Sequence, residues 1–186
     1  MTDWINCWAI NDPSYQITKH TYTMSKHQTI IKAEPGKQDV YIIREFDAPR
    51  EKVFEAHANP DLIKQWLGPR NREMKIDHYD SRSGGSYRYR ICNADGKEIA
   101  AFNGAIHELT APERIIQTFE YEGLPERGHV TLDTTTFEAL PGNRTKVTIH
   151  SVCRFVSDRD AMMQSGMESG VNDGYEKLDE LLQTMA

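Results

Sequence analysis

The sequence predicts an α+β domain in which a curved antiparallel sheet wraps a long C-terminal helix, in the order β-α-α-β6-α. Three observations predict it. Strand-like segments succeed one another over residues 74–155 with turn residues between them and no helical stretch, which reads as one antiparallel meander. Two short helical signals separate that series from an earlier strand. Beyond Ser157 the apolar period changes from two to three and four, the pattern of an amphipathic helix.

Residues 1–38 are polar with scattered aromatics and close on the turn Glu34-Pro35-Gly36-Lys37, so they read as an arm ahead of a domain over 39–186. Thr29-Ile30-Ile31 could start a strand within it, and Met24 is an alternative start of the chain. Residues 40–46, β-branched and aromatic, form the first strand. Asp47-Ala48-Pro49 ends it, and Pro49 suits the first helical position because its missing N–H would have no partner there. Val53, Phe54 and His57 fall at helical spacing over Arg50–Ala58. Asn59 is a good N-cap for a second short helix carrying Leu62, Ile63 and Trp66, which Gly68-Pro69 stops.

In the meander, Met74, Ile76 and His78 alternate with Lys75 and Asp77, and Ser83-Gly84-Gly85 turns the chain. Tyr87, Tyr89 and Ile91 then alternate with Arg88 and Arg90, and Asn93-Ala94-Asp95-Gly96 makes a strong hairpin. Residues 98–109, 114–122, 127–139 and 144–155 continue the series, split at Ala111-Pro112, Gly123-Leu124-Pro125 and Pro141-Gly142-Asn143. Ser157 followed by Asp160 resembles a capping box, and Met163, Met167, Val171, Gly174, Leu178 and Leu181 define one long helix. Gly166, Gly170 and Gly174 fall four apart on one face of it. A glycine inside a helix costs about 1 kcal/mol relative to alanine, so such a face implies close approach of sheet backbone or of a ligand.

Composition narrows the function. Lysine plus arginine number 22 against 28 acidic residues, a net charge of −6, which argues against a dedicated nucleic-acid binder. Mean hydropathy is −0.65 and no apolar run approaches the length of a membrane span. The first residues do not read as a secretory signal, so a cytoplasmic protein is expected. Cys7, Cys92 and Cys153 form no C-x-x-C pair and leave an odd count, as befits reduced thiols rather than a disulfide framework. There is no H-E-x-x-H, G-x-S-x-G, Walker-type or dinucleotide glycine motif. The seven histidines lie singly. No catalytic residue, metal ligand or cofactor is therefore assigned.

Several segments carry a resemblance to a known family: Val53-Phe54-Glu55-Ala56 after Ala48-Pro49, Trp66-Leu67-Gly68-Pro69, Gly84-Gly85-Ser86-Tyr87-Arg88-Tyr89, Gly104-Ala105-Ile106-His107-Glu108-Leu109 with Pro112-Glu113-Arg114-Ile115-Ile116, and Gly166-Met167-Glu168-Ser169-Gly170. Together they resemble the activator of heat-shock-protein-90 ATPase homologue-like family of the START-like (SRPBCC) superfamily. The resemblance implies a helix-grip fold around a largely apolar cavity and does not imply one activity.

Alternation picks out the side chains expected to face that cavity. Tyr87 and Tyr89 are the better candidates for orienting a polar group, since a buried hydroxyl wants a partner. Met74, Ile76, Phe102 and Ile106 are expected beside them on the sheet. Met163, Met167, Gly170 and Val171 are expected on the helix, and Trp66 at the rim. The reading that follows is binding of a small apolar or aromatic molecule without chemistry. The alternative is an enzyme of the polyketide cyclase, aromatase or dehydratase kind, which needs a general base. A co-chaperone-like interaction module is the weaker third. A homodimer and a chaperone partner stay open, and nothing points to nucleic acid or membrane.

Overall fold

The computed structural model describes residues 27–185. The first 26 residues of the arm, with Cys7 and the alternative start Met24, lie outside them. The strands are β1 (Ile30–Lys32), β2 (Asp39–Phe46), β3 (Glu73–Tyr79), β4 (Ser86–Cys92), β5 (Glu98–Thr110), β6 (Arg114–Tyr121), β7 (Val130–Leu140) and β8 (Arg144–Cys153). The helices are α1 (Arg50–Ala58), α2 (Pro60–Trp66), α3 (Val156–Gln164) and α4 (Met167–Thr184). All eight strands join in one antiparallel sheet ordered β1-β2-β8-β7-β6-β5-β4-β3. This is the helix-grip architecture with one strand added to the β-α-α-β6-α order: the arm segment around Thr29-Ile30-Ile31, read as a possible strand, forms β1, which pairs along the edge of β2.

Local chemistry accounts for the turns. Asn93 accepts hydrogen bonds on its side-chain oxygen from the N–H groups of Asp95 and Lys97, and Gly96 supplies the positive φ of 77° that closes the hairpin. Asn59 caps α2 by accepting from the Asp61 N–H, and Val53 donates to the Pro49 carbonyl, which places Pro49 at the cap of α1. On β4, Tyr87, Tyr89 and Ile91 are buried, while Arg88 and Arg90 lie on the outer face bonded to Asp77 and Glu122. Those guanidinium bonds hold the Asp77 and Glu122 carboxyls below their ordinary range.

The C-terminal region departs from the single long helix. It breaks at Ser165-Gly166, where Gly166 adopts φ 79°, a left-handed conformation that glycine reaches at little cost. The expected capping box is absent: α3 starts at Val156 behind Phe155, with no side-chain cap. Gly166 is thus a joint rather than a member of a helical glycine face. Gly174 is a packing glycine, since a Cβ there would lie 3.3 Å from the Trp66 carbonyl oxygen.

Two apolar clusters build the core. One gathers Phe46, Val53, Phe54, Phe137, Val147, Tyr175 and Leu178 where α1 and α4 cover β2, β7 and β8. The other gathers Ile63, Met74, Tyr87, Tyr89, Ile91, Phe102, Ile106 and Tyr121 over β3 to β6. Arg44 is buried beneath α4 and bonds Asp179 at 2.5 Å, tying that helix to β2. Among the described residues no helix is long and apolar enough to cross a membrane, and no cluster of histidine, cysteine or carboxylate side chains is arranged to hold a metal. Cys92 and Cys153 are buried free thiols.

Candidate functional site

A partly open cavity of about 190 Å³ has walls drawn from both clusters. Antiparallel register determines its sheet wall, because residues paired across strands share a face. One row runs Ile115, Thr135, Ile149, Ile42 across β6, β7, β8 and β2. The neighbouring row runs Ile106, Gln117, Asp133, Ser151, Val40. Its middle three residues line the cavity, as do Thr131 and Thr135 on either side of Asp133 along β7. A polar stripe therefore crosses the centre of an otherwise apolar and aromatic wall.

Asp133 is the unusual member. Burial pushes its carboxyl above the ordinary aspartate range, opposed by hydroxyl hydrogen bonds from Ser151 and Thr131 and by the more distant His150. The Thr131 hydroxyl donates to Asp133 Oδ1 at 2.8 Å. No lysine or arginine lines the cavity, and Asp133 has no ion-pair partner among the described residues.

The helical wall brings His57, Trp66, Leu67, Met162, Met167 and Val171. His57 Nδ1 lies 2.7 Å from the Val53 carbonyl oxygen, which can only accept, so this nitrogen carries the ring proton. Burial pushes the imidazole down to about 4, against the opposing effect of that backbone bond. The ring is therefore neutral, and its Nε2 is buried without a hydrogen-bond partner between the rings of Trp66 and Phe137. Trp66 is held in place by its own Nε1, which donates to the Ala56 carbonyl at 2.9 Å.

Of the expected ligand-facing residues, Trp66, Tyr87, Tyr89, Met167 and Val171 come together around the cavity. The Tyr87 hydroxyl donates to the Thr118 carbonyl at 2.8 Å, so its ring is fixed and its hydrogen is used. Met74, Ile76, Phe102 and Ile106 pack in the second cluster, Met163 packs against the first, and Gly170 is buried in α4; these six do not line the cavity. The polar stripe and His57 were not anticipated. A signal for the stripe exists in the Pro141-Gly142-Asn143 turn. It pairs Leu140 with Arg144 and so carries Phe137 onto Val147 and Asp133 onto Ser151, all facing inward.

Comparison with known proteins fits this architecture. The sequence profile of the Activator of Hsp90 ATPase homolog 1-like protein family matches residues 47–183. The chain belongs to that family. Among solved structures, a protein from Arthrobacter aurescens is 25% identical with a TM-score of 0.74, the match covering 84% of this chain and 92% of that one. A protein from Rhodobacter sphaeroides is 23% identical with a TM-score of 0.76, covering 85% of this chain and 100% of the other. Protein Ms6760 from Mycobacterium smegmatis is 20% identical with a TM-score of 0.74, covering 86% and 99%. These likenesses are likenesses of fold. No functionally curated protein matches the sequence.

Proposed function

We propose that the protein binds a small, largely apolar or aromatic molecule in its internal cavity. The observation that carries this reading is the cavity itself, a partly open space of about 190 Å³ between two packed clusters, walled mainly by aromatic and aliphatic side chains. Interiors ordinarily close such space, since each unfilled void forfeits dispersion contacts. An engineered apolar cavity of about 150 Å³ takes up benzene, so this volume is enough to receive a substituted aromatic ring. Native mass spectrometry of the protein purified from its own host tests the reading. A bound mass of small-molecule size, lost in Val171→Phe, supports it; a bare polypeptide mass, together with no uptake of small aromatics by the purified protein, contradicts it.

A second reading, an enzyme of the cyclase or dehydratase kind, draws support from Asp133 and His57 lining one cavity. His57 counts against it. An imidazole pushed down to about 4 is a weak base at neutral pH, and its protonated nitrogen is engaged with Val53.

A further inference from the structure

Resting on the cavity-binding reading, we propose that the ligand is a small arylalkylammonium ion, with its ammonium group received by Asp133 and its ring held among the cavity aromatics. A buried carboxylate is costly unless a cation or a full set of donors satisfies it. Asp133 has hydroxyl donors in Thr131 and Ser151 and no ion-pair partner among the described residues. The cavity supplies no lysine or arginine, and its one histidine is neutral. The walls therefore supply no cation to offset the burial that disfavours the ionised Asp133 carboxyl, and no basic side chain on them repels an incoming cation.

The surroundings match the remainder of such a ligand. Trp66, Tyr87, Tyr89 and Phe119 line the same space, and their ring faces attract cations more strongly where water is excluded. Gln117, beside Asp133 in the same row, offers a carbonyl to a second ammonium hydrogen. An anionic ligand would meet an uncompensated carboxylate. A neutral alcohol could bond the stripe but, unlike an ammonium group, would do nothing to favour the ionised form of Asp133. The volume accommodates a ring of about the size of benzene with a short arm.

Calorimetric titration of the full chain at neutral pH with benzylamine, benzyl alcohol and toluene tests this. Benzylamine is expected to bind about tenfold or more tighter than benzyl alcohol, and Asp133→Asn is expected to abolish that preference while leaving toluene binding in place. The comparison of ligands on the unaltered protein does not depend on the variant folding. Equal or tighter binding of benzyl alcohol overturns the ammonium proposal and leaves the cavity reading standing, as does a benzylamine preference that survives in Asp133→Asn. Failure of all three ligands to bind overturns both.

Discussion

Asp133 and His57 respond to the same cavity in opposite directions, because burial disfavours whichever form of a group is charged. The His57 imidazole, ordinarily near 6.5, is pushed down to about 4, so it stays neutral in the folded protein while the unfolded chain takes up a proton. Stability is therefore complete above about pH 6.5 and is lost as pH falls toward about 4, by roughly 3 kcal/mol if the whole shift is expressed. His57→Phe should flatten that acid limb in urea denaturation followed between pH 7 and pH 4, whatever it does to stability at neutral pH. Identical slopes for parent and variant would rule out a desolvated imidazole. Asp133 works the other way. Its folded value is raised, so its burial cost is absent at low pH and appears as pH rises through that value. Asp133→Asn should raise the melting temperature at neutral pH relative to the parent, with the advantage vanishing below about pH 3.9. A deficit of the same size at both pH values would show instead that the hydroxyl bonds dominate.

Strands and helices show why some features are legible in the sequence and others are not. Tyr87 lies opposite Gly104, and a Cβ at that glycine would come within 1.9 Å of the Thr118 carbonyl oxygen and 2.6 Å of the Tyr87 hydroxyl. The absent side chain is what lets the Tyr87 ring lie across β5 and reach β6. Gly104→Ala should cost about 1–3 kcal/mol and release the Tyr87 hydroxyl bond, to be read as a lower melting temperature and as altered tyrosine ring signals in NMR spectra. An unchanged melting temperature would show that β5 and β6 can part there without loss. Turn residues made the hairpins readable, since Asn93 and Gly96 encode their conformation locally. The joint at Gly166 was hidden because the apolar steps from Met163 to Met167 continue across it without a change of period. On β7 the usual pattern inverts: Thr131, Asp133 and Thr135 face in while Leu132 is 45% exposed. Alternation read one strand at a time misplaces such a segment, and only its pairing with β8 corrects it.

At the scale of the whole molecule, the fold was legible because meander and closing helix are set by long patterns, and the family match over 47–183 agrees with them. The cavity was legible only as an expectation, since its volume depends on how far two clusters stand apart. The glycine face, read as a place of close approach by sheet backbone or by a ligand, does not border it. Gly174 brings α4 against α2, and the space lies instead beside Met167 and Val171. The most direct test of the account is the melting temperature with and without toluene, measured on the parent protein and on Val171→Phe. Binding to the folded state alone should raise the parent's melting temperature by about 3–6 °C at a toluene concentration roughly tenfold above its dissociation constant. Val171→Phe, its cavity filled from α4, should show no such rise. A parent that does not respond to toluene, or a variant that responds as strongly as the parent, would contradict the claim that this cavity is the binding site.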